Sequence, residues 1–174
     1  MPLMLASTVE AADEDRTAQY LTFALGGESF GVPIERVREI LEYVEPTPIP
    51  MMPPFLRGVI NLRGAVVPVI DLQSRFGKGT TEAEHRSCIV IVEIEHDGLT
   101  QPLGILVDAV SEVVAIDRSR LEARPSFGAR IRPDFVEGIL RLEKHFVITL
   151  DLKQVLSIEE LATLIGMASG SRKN

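Results

Sequence analysis

Phe55-Leu56-Arg57-Gly58-Val59-Ile60-Asn61-Leu62 returns later in the chain as Phe135-Val136-Glu137-Gly138-Ile139-Leu140-Arg141-Leu142. The match runs on without a gap, pairing Val67 with Val147, Asp71 with Asp151 and Leu72 with Leu152. Every pair is 80 positions apart (135 against 55). An upstream block repeats in the same order, Gly31-Val32-Pro33-Ile34-Glu35-Arg36-Val37-Arg38-Glu39-Ile40-Leu41 against Gly104-Ile105-Leu106-Val107-Asp108-Ala109-Val110-Ser111-Glu112-Val113-Val114. Two blocks recurring in one order mark an internal duplication. The chain is therefore expected to form two similar units packed about a pseudo-twofold.

Working outward, the segments around these blocks are short, β-branched and bounded by turn residues. Tyr20–Leu25 leads into Gly26-Gly27, a strand followed by a tight turn. Gly58–Leu62, Val66–Leu72, Ile89–Ile94, Leu103–Val107, Glu112–Ile116 and Phe146–Leu150 read as further strands. Their spacing predicts an all-β barrel or sandwich rather than alternating βα units. Ile34, Val37, Leu41 and Val44 fall at helical spacing after Pro33, but the counterpart segment is Val-rich and prefers strand. Strand, one helical turn, then strand fits both copies.

Boundaries follow. Residues 1–17 are small and acidic and read as a flexible tail. The first unit covers about 18–76, a polar, flexible connector 77–86 and the second unit about 87–156, a division compatible with strands exchanged between units. Ser157 and Glu160 form a capping box ahead of Leu161, Leu164 and Ile165, which predicts a C-terminal helix at 157–167, with 168–174 as a second tail. Asp117 to Asp134 reads as a long surface loop.

Composition narrows the function classes. The 174 residues are 45% hydrophobic and 25% charged, enough to bury a core, and the formal net charge is -7. That sign disfavours a phosphate-backbone binder, so no nucleic-acid partner is expected. Cys88 is the one cysteine, which excludes an internal disulfide; in a β-branched run it reads as a small core residue. No apolar stretch reaches the ~18 residues that span a bilayer. The first residues lack the pattern of a secretion signal, so direct membrane insertion is not expected and the cytoplasm is the expected location.

Catalytic chemistry finds no purchase. His85, His96 and His145 fall in the connector and two expected turns, without metal-ligand spacing, and no nucleophile elbow, P-loop or dinucleotide fingerprint occurs. Asp71 and Asp151 resemble a carboxylate pair, but each ends a strand before a polar segment, where Asp caps turns and helix starts. No catalytic residue, cofactor or metal site is expected. The proline-rich Glu45–Phe55 segment offers a PxxP motif, but reads better as a stiff strap between strands, with Ile49 and Phe55 buried. Arg118, Arg120, Arg124, Arg130 and Arg132 are interleaved with acids and read as a solvated loop, an acidic-partner site being the sharper alternative. More specific is Asn61-Leu62-Arg63-Gly64, a hairpin turn in which Gly64 takes positive φ and Arg63 is held outward. The other repeat has Arg141-Leu142-Glu143-Lys144 there, without glycine and with reversed charge at the Arg63 position. The first unit therefore carries a task the second does not.

These residues, taken in order, resemble the CheW family of bacterial chemotaxis coupling proteins. The likeness rests on Tyr20-Leu21-Thr22-Phe23, Phe30-Gly31-Val32, Glu39-Ile40, Ile49-Pro50, Pro54-Phe55, Gly58-Val59, Asn61-Leu62-Arg63-Gly64, Val67–Leu72, Gly104-Ile105, Val107-Asp108 and Leu150-Asp151. It covers residues 19–165 and implies a CheW-like domain over 18–166, built of two SH3-like five-stranded β-barrels without catalytic activity. It also implies two partners: the regulatory domain of a CheA-type histidine kinase and the cytoplasmic tip of methyl-accepting chemoreceptors, at membrane-associated arrays. Val37, Glu39, Gly58 and Arg63 match the family's partner-contact positions, with Ile40, Asn61 and Gly64 beside them. Gln73 departs from the arginine common after Asp-Leu in the family. A non-flagellar chemosensory pathway, such as pilus motility or second-messenger control, is the alternative setting.

Overall fold

The computed structural model describes residues 17–77, 79–84, 86–96, 98–122, 135–143 and 145–155. The expected C-terminal helix at 157–167 and both tails lie outside the described residues, apart from Thr17. Eleven strands occur among the described residues: β1 (Thr17–Leu25), β2 (Glu28–Pro33), β3 (Val37–Glu42), β4 (Leu56–Leu62), β5 (Ala65–Asp71), β6 (Cys88–His96), β7 (Leu99–Val107), β8 (Ala109–Asp117), β9 (Leu121–Glu122), β10 (Val136–Arg141) and β11 (Phe146–Leu150). Two single-turn helices, α1 (Leu72–Arg75) and α2 (Leu152–Val155), follow β5 and β11. Each begins at an Asp. The Asp71 carboxylate accepts from the Ser74 amide at 3.3 Å, and the Asp151 carboxylate accepts from the Lys153 amide at 3.2 Å.

Two sheets form, ordered β8-β1-β2-β11-β10-β9 and β3-β6-β7-β5-β4. The duplication is visible in the pairing. β5 runs parallel to β7 and β11 parallel to β2, while β3–β6 and β1–β8 are antiparallel. Bulges recur at equivalent places: between Val37 and Glu39 opposite β6, where β8 has Val110 to Glu112 opposite β1, and between Leu56 and Gly58, where β10 has Val136 to Gly138. A bulge adds a residue to one strand of a pair, so its recurrence requires that both copies fold alike. The sheets do not divide at the connector. The five-stranded sheet takes three strands from the first repeat and two from the second, and the six-stranded sheet two from the first and four from the second, because β1 and β2 pair with the later β8 and β11. The fold is mainly β, two SH3-like units related by a pseudo-twofold with strands exchanged between them.

Three apolar cores follow from the period-two alternation of the strands. The largest lies between the sheets, where Leu21, Phe23 and Leu25 of β1 meet Val90, Val92 and Ile94 of β6, with Phe30, Phe76 and Phe135. The opposite faces close on cores of their own: Ile60, Val67, Val69, Ile89, Ile91 and Leu106 in the five-stranded sheet, and Tyr20, Leu140 and Val147 in the other. Tyr20 brings a hydroxyl into that interior and donates to Glu137 at 3.0 Å. Burial first, and then the Glu137 carboxylate, pushes the Tyr20 hydroxyl up to about 12.

Several expectations need correction. The upstream blocks do not share one shape: Ile34–Arg36 forms a 3-10 turn, whereas the second copy passes from β7 to β8 through a bend at Asp108. The Asp108 amide donates to the Ala24 carbonyl, and its carboxylate accepts from the Gly26 amide, so tertiary bonds set that corner. Asp117–Asp134 is not loop from its start. Asp117 caps a 3-10 turn over Arg118–Arg120, and Leu121–Glu122 then pairs with β10, satisfying backbone groups at that edge. The remainder, with Arg124, Arg130 and Arg132, lies outside the described residues. His96 ends β6 rather than sitting in a turn, whereas Cys88, half-buried, packs against the inter-sheet core in keeping with a small core residue. The connector is anchored: the Thr81 side chain is buried, and its amide and hydroxyl both donate to Asp71 at 2.8 Å.

The Glu45–Phe55 strap bonds to β4 through Thr47 and Val59, and both Ile49 and Phe55 are half-buried. At its tip Met51 is 95% exposed with φ of 66°, the left-handed region that disfavours a side chain. Met51→Gly is expected to stabilise the fold by about 0.5–1 kcal/mol, after allowing for the greater freedom of unfolded glycine. A rise in the urea midpoint checks this; an unchanged or lower midpoint would contradict strain at Met51.

Candidate functional site

Arg63 and Gly64 form a two-residue turn between β4 and β5, with φ of 53° and 88° and Leu62 paired to Ala65. Two consecutive positive φ values match the twist of antiparallel strands, and glycine at the second position removes one steric penalty. Asn61 completes the turn by accepting from the Gly64 amide at 2.9 Å. Arg63 itself also sits in the left-handed region, a conformation the residue types alone point to only at Gly64. Its guanidinium is held by Glu39 of β3 through two hydrogen bonds of 2.6 and 2.9 Å. This bidentate geometry fixes the plane of the guanidinium.

β3 and β4 are the terminal strands of the five-stranded sheet, so the ion pair joins the sheet's two ends. The Arg63 side chain remains 69% exposed and that of Glu39 22%. The Arg63 hydrogen bonds hold the Glu39 carboxyl below the usual carboxylate range and raise Arg63 in turn.

The β3 bulge separates the other residues singled out from the sequence. Glu39 pairs with Ile91, on the face of the sheet's own core, whereas Val37 and Ile40 pair with Val92 and Val90, on the face turned to the inter-sheet core. Val37 is half-buried against that core, while Ile40 is 44% exposed. Gly58 is buried beneath the strap, where an added Cβ would meet the Thr47 carbonyl oxygen at 2.2 Å. The structure thus brings Glu39 and Arg63 together, uses Asn61 and Gly64 to build the turn, and leaves Ile40 outward. Val44, two residues beyond the end of β3, is 49% exposed, which its helical spacing after Pro33 does not reveal. The Glu39–Arg63 contact was not anticipated either, since it spans strands that share no ladder.

The second unit has a different arrangement. Arg141, the counterpart of Asn61, bonds Glu122 at 2.9 and 3.2 Å and lies 5.1 Å above the exposed ring of Phe146. The charged feature has moved from the turn to the strand. Gln73, the departure from the family pattern, donates to Thr81 at 3.0 Å and is absorbed into the connector anchor. Among the described residues, no three His, Cys, Asp or Glu side chains are grouped to hold a metal ion, and no helix is long and apolar enough to cross a membrane.

Residues 19–160 match the family model of the CheW-like domain. The chain is 30% identical over 164 residues to the chemotaxis protein CheW of Klebsiella aerogenes, covering 94% of this chain and 96% of that one. It is 30% identical over 170 residues to the chemotaxis protein CheW of Treponema pallidum, covering 95% and 98%. The crystal structure of the scaffolding protein TtCheW from Thermoanaerobacter tengcongensis superposes with a TM-score of 0.72 at 38% identity, over 82% of this chain and 90% of that one. With the duplication, the strand exchange and these relatives agreeing, the chain belongs to the CheW family.

Proposed function

We infer that the protein is a non-catalytic chemotaxis adaptor. It couples methyl-accepting chemoreceptors to the regulatory domain of a CheA-type histidine kinase, and acts on the cytoplasmic side at membrane-associated arrays. Family membership supports this reading. The observation that carries it is the exposed, bidentate Glu39–Arg63 pair at the junction of the terminal strands. A fixed, exposed charge pair suits a docking face, because its charges set orientation and reject mismatched partners, while Ile40, exposed on the other face of β3, offers apolar area along the same strand. The receptor tip is its proposed occupant. Val37 then supports the strand from beneath, and Gly58, Asn61 and Gly64 hold the face in shape.

Arg63→Glu is expected to weaken binding of a receptor cytoplasmic fragment by about tenfold or more while the domain stays folded. The exchange Glu39→Arg with Arg63→Glu restores an ion pair but presents reversed charges, so binding should remain weak. Calorimetric titration with circular dichroism checks both. Binding rescued by the exchange would instead make the pair a structural clasp.

A further inference from the structure

Arg75, the last residue of α1, lies with its guanidinium carbon 4.9 Å from the ring centre of Phe55 and 5.2 Å from that of Phe135. Its Nε donates to the Val155 carbonyl at 2.6 Å. Phe55 and Phe135 are counterparts in the duplication, and so are Arg75 and Val155 (each pair 80 apart). Positions exchanged by a twofold can touch one another only close to its axis. Arg75 therefore sits on the pseudo-twofold, between an aromatic ring that leads into β4 of one sheet and its equivalent that leads into β10 of the other.

The chemistry suits that place. A planar guanidinium can stack on aromatic faces and donate in its own plane, which an ammonium cannot do. Two arginines on one axis would repel, which accounts for valine at 155. Phe76 extends the contact, its ring centre 5.9 Å from that of Phe135 and 5.6 Å from that of Phe30.

We propose that Arg75 is the positioning residue that fixes the orientation of the two SH3-like units, and hence the spatial relation of the faces they present. This goes beyond the adaptor reading and holds whichever partners occupy those faces. The test uses the full chain in a Cys88→Ser background, with spin labels at cysteines replacing Glu42 and Ser111, both exposed and on different sheets. A second label pair at Glu42 and Ala65, within the five-stranded sheet, is the internal control. Pulsed dipolar spectroscopy should show narrow distance distributions for both pairs in the parent. Arg75→Lys and Arg75→Gln should broaden only the inter-sheet distribution, at unchanged circular dichroism. An unchanged inter-sheet distribution would overturn the proposal. So would equal broadening of both pairs, or loss of folding in both variants, since either would make Arg75 a general folding residue.

Discussion

Gly58→Val is expected to destabilise the protein by about 3–5 kcal/mol, a large share of the 5–15 kcal/mol typical of a domain. Two causes add. The φ of 145° is open to glycine and strained for any side chain, and the first added carbon would lie 2.2 Å from the Thr47 carbonyl oxygen and 2.6 Å from its carbon. Backbone, unlike the end of a flexible side chain, has little room to yield. The Thr47–Val59 bridge should open and the strap should lift. Gly138 is the matched control. A Cβ there would meet Leu121 Cγ at 2.6 Å and the Glu122 carbonyl oxygen at 2.8 Å, with no positive φ to add strain. Gly138→Val should therefore cost less, about 1–3 kcal/mol. Urea unfolding of the two variants checks the order, and equal losses would contradict it. Weak partner binding by a Gly58 variant would arise through the displaced strap, because Gly58 itself is covered.

Asp71→Ala is expected to cost about 3–5 kcal/mol, against about 1 kcal/mol for Asp151→Ala. Asp71 is fully buried and accepts from the Thr81 amide and hydroxyl, the Ser74 amide and, at 3.2 Å, the Arg57 guanidinium. Arg57 also donates to the Thr81 carbonyl at 2.6 Å. Removing the carboxylate leaves a partly buried cation and the Thr81 donors without their acceptor, and frees the connector. Asp151 is only half-buried and caps α2, and its repeat has Glu137 where the first has Arg57. Chemical denaturation distinguishes the two. An Asp71→Ala loss near 1 kcal/mol would show that the network adds nothing to the cap.

The contrast shows what was legible in the chain. Asp71 and Asp151 were readable as caps, because Asp before a polar turn is a local signal. The burial of Asp71 was not, since it depends on Arg57 and Thr81 arriving from other elements. The same division holds elsewhere. β-branched runs, the duplication and the Arg63-Gly64 turn follow from short-range chemistry. The exchange of strands between units does not: both copies would look the same in sequence whether β1 paired with β8 or stayed within its own half. The Glu39–Arg63 pair was hidden for that reason, because it depends on a sheet order that brings its two end strands together. Gly58 was assigned to partner contact by resemblance. Only the position of Thr47 reveals that its small size serves the strap.

Simultaneous binding is the most direct measure of the adaptor reading. The full chain, a receptor cytoplasmic fragment and the regulatory domain of a CheA-type kinase should sediment together as a ternary species in analytical ultracentrifugation, with Arg63→Glu retaining the kinase domain and losing the receptor fragment. Failure of the parent protein to bind either partner, or mutually exclusive binding of the two, would contradict a protein that couples one to the other.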